Sequence, residues 1–105
     1  MLIKGDNYLQ GAENSVQGAG NVIFGSVNDV FGASNYAEGQ KNVIKGIGNV
    51  VLGDSHNVSG ALNTASGSSN KIEGNKNLVE AISSIVRGDN NAVKGTSNVA
   101  LGKTN

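Results

Sequence analysis

The chain of 105 residues contains no cysteine, no proline and no tryptophan. Without cysteine, neither disulfides nor thiolate metal sites can staple a domain of this size. Two Tyr and two Phe are its only aromatic residues, and hydrophobic residues reach 37%, too little for a thick core. A net charge is missing too: eight Lys plus Arg balance eight Asp plus Glu, with no basic stripe to neutralise phosphates. Nucleic acid is therefore not an expected partner, and neither is an anionic membrane surface. No apolar run approaches a membrane span, so insertion into a bilayer is not expected, and MLIKGDNYLQ lacks a signal-peptide core. The compartment stays open; a cell-surface or extracellular place fits if the segment belongs to a longer protein.

Sixteen Gly and many Asn and Ser would read as a disordered linker, were they not arranged in a strict period. Cut every seven residues from Lys4, the chain gives fifteen units of the form G-x-x-N-x-Φ-x, where Φ is aliphatic. Position 1 is Gly except at Lys4 and Ala81, and position 4 is Asn except at His56 and Ser84. Position 6 runs from Leu9 and Val16 to Val93 and Ala100 without a polar residue. A coiled coil needs two apolar positions per heptad, and Gly costs a helix about 0.8–1.0 kcal/mol against Ala at each site. One aliphatic and one Gly per heptad exclude it.

The period predicts an all-β fold, a flat β-solenoid or β-roll over residues 1–105. N-x-Φ-x alternates like a short strand, and G-x-x-N carries turn chemistry, Gly permitting the tight return. Two heptads close a coil of 14 residues, giving about seven and a half coils and two thin parallel sheets back to back. The Φ residues form the core, and each Asn recurs above itself as a hydrogen-bonded ladder. His56 stands in an Asn slot, where a turn substitution explains it better than a metal ligand or a base. The unit Ala81 to Arg87 breaks both the Gly and the Asn positions, which predicts an irregular turn there.

The x-x-N-x-V-x-G unit, from Lys4 to Asn105, resembles the repeat of the grass ice-recrystallisation-inhibition and antifreeze proteins. That resemblance implies a left-handed roll and makes ice a candidate partner. In Asn, Val and Gly spacing the chain more loosely resembles the β-roll heads of trimeric autotransporter adhesins, which implies a closed trimer. Scaffold residues carry both resemblances, so function has to be sought at the outward positions 5 and 7.

One sheet, built from the odd-numbered units, carries an outward apolar column. Tyr8, Val22, Phe24, Tyr36, Val50, Leu52 and Leu78 on that face are the candidate self-association residues, because soluble monomers rarely leave large apolar patches in water. Ice-binding faces present short, repeated, flat residues, above all Thr. Of three Thr in the chain only Thr64 lies on a sheet face, with Ser66 beside it, so these two are the ice-binding candidates. The chain ends complete a heptad: Asn105 falls at position 4, and Met1, Leu2 and Ile3 fit positions 5, 6 and 7. Head-to-tail stacking into a fibre through Leu2, Ile3, Leu101 and Asn105 is the resulting expectation, each copy rising about 36 Å at about 4.8 Å per coil. A segment cut from a longer array at heptad boundaries gives the same arithmetic. Enzyme chemistry finds no support in a single His and carboxylates at scattered heptad positions, and no metal or cofactor is expected.

Overall fold

A computed structural model describes residues 2–3 and 7–103. Fifteen strands and no helix are present among them, and they alternate between two sheets. Sheet A holds β1 (Leu2–Ile3), β3 (Ser15–Ala19), β5 (Asp29–Ala33), β7 (Val43–Ile47), β9 (Asn57–Ala61), β11 (Lys71–Asn75), β13 (Ile85–Asp89) and β15 (Val99–Lys103). Sheet B holds β2 (Tyr8–Gln10), β4 (Val22–Ser26), β6 (Tyr36–Gln40), β8 (Val50–Asp54), β10 (Thr64–Ser68), β12 (Leu78–Ile82) and β14 (Ala92–Thr96). Every neighbouring pair is parallel, and from β2 onward each residue pairs with the one fourteen ahead, as Val22 with Tyr36 and Val50 with Thr64. This is the expected solenoid, 36 Å long, 20 Å wide and 11 Å thick.

Position 6 supplies the core. Val16, Ile23, Val30, Ala37, Ile44 and the residues that follow them to Val86 have no accessible surface, while Leu9 and Ala100 pack against the end coils half-buried. The 11 Å thickness leaves room for one layer of aliphatic side chains between sheets, which themselves pack about 10 Å apart.

Glycine has a different role from the one its turn chemistry suggests. Each full strand runs five residues, from position 5 to position 2 of the next heptad, so the Gly of position 1 lies inside the strand. At Gly25 φ is +131°, and a Cβ would come within 1.9 Å of the Gly39 carbonyl oxygen in the next coil. The glycines let coils stack. The tight return is made two residues later, at position 3, where Glu13, Val27, Lys41, Leu62, Lys76 and others hold φ between 56° and 62°. That left-handed geometry costs an L-residue about 1–2 kcal/mol, and the ladder on either side enforces it. Val27 N–H donates to Ala12 C=O at 3.0 Å in the coil before, and Asp29 N–H to Asn42 C=O at 2.8 Å in the coil after.

Two expectations change at particular residues. In the unit Ala81 to Arg87 the turn is regular: Ser83 has φ 58° and its N–H donates to Ser68 C=O at 2.9 Å. Only Ala81 departs, avoiding the positive φ of its Gly neighbours while keeping register with Gly67 and Gly95. At β1, Leu2 pairs with Ser15 and Ile3 with Val16, so Ile3 rather than Leu2 stands opposite the aliphatic position. The heptad is already out of step in this stretch of sequence, with Lys4 at the Gly position and Gly5 one residue late. The heptad count that put Leu2 at position 6 thus differs from the β1 register by one residue.

Candidate functional site

The Asn residues at position 4 are consumed by the scaffold. Asn28, 1% exposed, donates its backbone N–H and one Nδ2–H to Asn14 Oδ1 at 3.0 and 3.2 Å, and a second Nδ2–H to Gly39 C=O at 3.0 Å. Its own Oδ1 accepts the N–H and Nδ2–H of Asn42 at 3.0 and 3.1 Å. A buried amide with every donor and acceptor used is cooperative with its neighbours and has nothing left for a ligand. One such ladder runs Asn7, Asn21, Asn35, Asn49, Asn63, Asn77, Asn91, and the other Asn14, Asn28, Asn42, His56, Asn70, Ser84, Asn98.

Both substitutions fall on the second ladder, and both preserve its acceptor. His56 N–H donates to Asn42 Oδ1 at 3.0 Å, and Asn70 N–H donates to His56 Nδ1 across a longer 3.4 Å. The carbonyls of Leu52 and Gly67, 3.0 and 3.1 Å from Nε2, place the imidazole proton on that nitrogen. Burial holds the His56 pKa below its ordinary value, against the upward pull of the two carbonyls and Asp54. Ser84 continues the chain by accepting Asn98 N–H on Oγ at 3.1 Å. His56 is a scaffold residue.

A third set of bonds escaped the repeat pattern because it sits at its variable position 2. Asp54 Oδ1 accepts Gln40 N–H at 3.0 Å, Asn75 Oδ1 accepts Ala61 N–H at 3.1 Å, and Asp89 Oδ1 accepts Asn75 N–H at 3.0 Å. Short Asp and Asn side chains one residue after Gly are the only sequence sign of it.

The outward positions form a grid with spacings of about 4.8 Å between strands and about 6.6 Å between alternate residues. The two faces differ in charge. At positions 5, 7 and 2 sheet B presents Glu38, Asp54, Glu80 and Lys94, whereas sheet A presents Asp29, Lys45, Lys71, Glu73, Arg87, Asp89 and Lys103. On sheet A, Arg87 Nε lies 3.0 Å from Glu73. Sheet B is thus the less charged face, and the seven self-association candidates all lie on it.

Three rings run along one end of that face. Tyr8 and Phe24 have centroids 5.8 Å apart, and Phe24 and Tyr36 6.0 Å, each pair tilted by about 50°. Gln10 Nε2 donates to the Tyr8 hydroxyl at 2.8 Å, and the Tyr36 hydroxyl donates to Glu38. The bond to Glu38, then desolvation and the Glu38 charge, push the Tyr36 phenol above its ordinary pKa. Beyond the rings, Val50 is half-buried, and Leu52 and Leu78 are 37% and 42% exposed. Thr64 and Ser66 lie together on β10, half-buried with Ser68, in the rank of the sheet with the smallest outward side chains. Ser66 also lines an open depression of about 310 Å³, together with Gly67, Glu80, Ala81, Ile82, Gly95 and Thr96. Leu101 stands 62% exposed on β15, while Asn105 lies outside the described residues.

Two parallel sheets wound on a 14-residue coil, with internal amide ladders and a lightly charged outer face, define a β-solenoid of the β-roll type. The sequence model of the grass antifreeze beta roll family matches residues 2–105, and the chain belongs to that family. It is a family of antifreeze proteins, not of enzymes. No curated protein matches the chain.

Proposed function

We propose that the protein binds ice through the outer face of sheet B and thereby slows the growth of ice crystals. The in-register stacking of sheet B carries the reading: each outward position becomes a straight rank, so the face presents a regular two-dimensional pattern with spacings of about 4.8 Å and about 6.6 Å. Family membership supports it, and so does the charge difference between the faces, because ionic groups hold liquid water in orientations that a lattice cannot accept. Thr64 and Ser66 with Val50 and Leu52 form its most regular part. Methyls at this spacing shape the water above them, and the hydroxyls join it. The apolar column that reads as a protein contact is equally what a face that releases liquid water to meet ice requires. Partition into a slowly growing ice mass tests this. The protein should be enriched in the ice fraction, and exclusion together with ordinary solutes would contradict the reading.

A second reading is self-association through the same face, favoured by the unbroken run of Tyr8, Val22, Tyr36 and Val50 along one column. Sedimentation equilibrium over a wide concentration range tests it, a persistent monomer being the contrary result. A fibre adds end-to-end stacking to that lateral contact, and negative-stain microscopy at rising concentration would show it.

A further inference from the structure

Self-association through sheet B does not by itself say how two faces meet. The uneven placing of bulky and charged residues along the sheet does. At position 5 both aromatic residues stand toward β2 and the two smallest residues toward β14: Tyr8, Val22, Tyr36, Val50, Thr64, Leu78, Ala92. The middle strand of the seven is β8.

We infer that two copies pair sheet B to sheet B with their coil axes antiparallel, about a two-fold axis along β8, and that this pair covers the face read as the ice-contact face; the geometry rests on the self-association reading. The axis lies along the strand direction, so each outward column faces itself with the strand order reversed. Tyr8 of one copy then meets Ala92 of the other, Val22 meets Leu78, Tyr36 meets Thr64, and Val50 meets Val50. The two bulky Tyr face the small Ala92 and Thr64, and the remaining meetings are between aliphatic residues. Because all strands are equally spaced, one alignment at β8 brings every rank into register.

Charge selects the same arrangement. At position 7 Glu38 faces Ser66, Lys94 faces Gln10 and Glu80 faces Phe24, so no like charges meet there. In the parallel alternative, with the axis along the coil stack, position 7 faces itself at each level. Glu38 would then oppose Glu38, Glu80 oppose Glu80 and Lys94 oppose Lys94, and Phe24 would collide with Phe24. Like charges placed opposite each other across an interface oppose association. The antiparallel pair leaves one such meeting, Asp54 with Asp54, at the rim of the face beside the turn. The whole molecule measures 36 by 20 Å in this plane, so the face offers at most about 700 Å² per copy, below the ~800 Å² per partner of a standard interface. A pair of that size, lacking a deep anchor residue, forms and dissociates with concentration, so the covered face is released on dilution.

The absence of native cysteine allows single spin labels at exposed turn residues, in the variants Glu13→Cys, Ser55→Cys and Ser97→Cys. Ser55 follows β8 directly, and the other two lie three coils to either side of it. At concentrations where sedimentation equilibrium gives a dimer, dipolar electron paramagnetic resonance should show close approach for Ser55→Cys. The Glu13→Cys and Ser97→Cys pairs should each lie about 30 Å apart, and a mixture of these two variants should again give close approach. Short distances at all three sites overturn the antiparallel geometry and leave self-association standing. A trimer or a fibre as the only assembly overturns the two-fold pair and likewise leaves self-association. A monomer at every concentration overturns both. Ice-growth inhibition per mole should fall as the dimer forms; an unchanged value overturns the covering of the ice face while the label distances still judge the pair.

Discussion

His56 Nδ1 accepts the backbone N–H of Asn70 across 3.4 Å, where the Asn ladder makes the equivalent bond at 3.0 Å. The imidazole can do so only while neutral, since its single proton is committed to Leu52 and Gly67 through Nε2. Burial lowers its folded pKa. Above the unfolded-state value of about 6.5 the full stability is present; as pH falls through 6.5 toward the folded pKa, the unfolded chain binds more protons and stability declines. Thermal melts between pH 7.5 and pH 5 should show this decline, and His56→Asn should remove most of it by restoring the ladder amide. Equal slopes in the two proteins would show that His56 is not its source.

Glycines at positions 1 and 3 should differ sharply in their tolerance of substitution. At Gly39 a Cβ would lie 1.8 Å from the Gly53 carbonyl oxygen, which leaves no space between coils, and Gly39→Ala should cost roughly 4 kcal/mol or more. At Gly20, φ is +70° and a Cβ would meet nothing nearer than Ser34 Oγ at 3.7 Å; other coils carry Ser34 and Asn90 at the equivalent turn. Gly20→Asn should change stability by less than about 1 kcal/mol. Urea denaturation of both variants checks the contrast.

Within the ladders, Asn28→Ala removes the acceptor of Asn42 and the donor to Gly39 from a buried site, and should cost about 2–4 kcal/mol. Ser84→Asn should instead stabilise by about 1 kcal/mol, because Ser84 offers the acceptor but lacks the amide donors of its neighbours. Chemical denaturation measures each, and a neutral Asn28→Ala would contradict the ladder's share in stability.

The period carried most of the fold. Fourteen residues per coil, position 6 as core and position 4 as ladder follow from a repeat whose every unit sits in the same environment, as Val30 and Asn28 do. The role of Gly25 did not follow, because its constraint is a carbonyl in the next coil and a one-dimensional pattern shows only that Gly recurs. Positive φ at Val27 and Leu62 was illegible for a related reason: the hydrogen bonds of adjacent coils impose it against local preference. At β1 the count of seven slips by one residue, beside the break that the sequence itself carries at Lys4 and Gly5. Of the candidate site, Thr64 and Ser66 were legible as a short rank on one face. The lighter charge of sheet B is already visible at positions 5 and 7, three charged residues against five, and position 2, which lengthens each strand, widens it to four against seven.

The central claim is that sheet B, and not sheet A, meets ice. Its most direct test is an ice-recrystallisation assay on matched lysine variants, with folding checked by circular dichroism: Val50→Lys and Thr64→Lys on sheet B against Val43→Lys and Asn57→Lys on sheet A. The sheet B variants should lose inhibition at least about tenfold, a loss of about 1.4 kcal/mol in surface affinity, while the sheet A variants keep it. Loss confined to sheet A, or no loss on either face, would contradict the account.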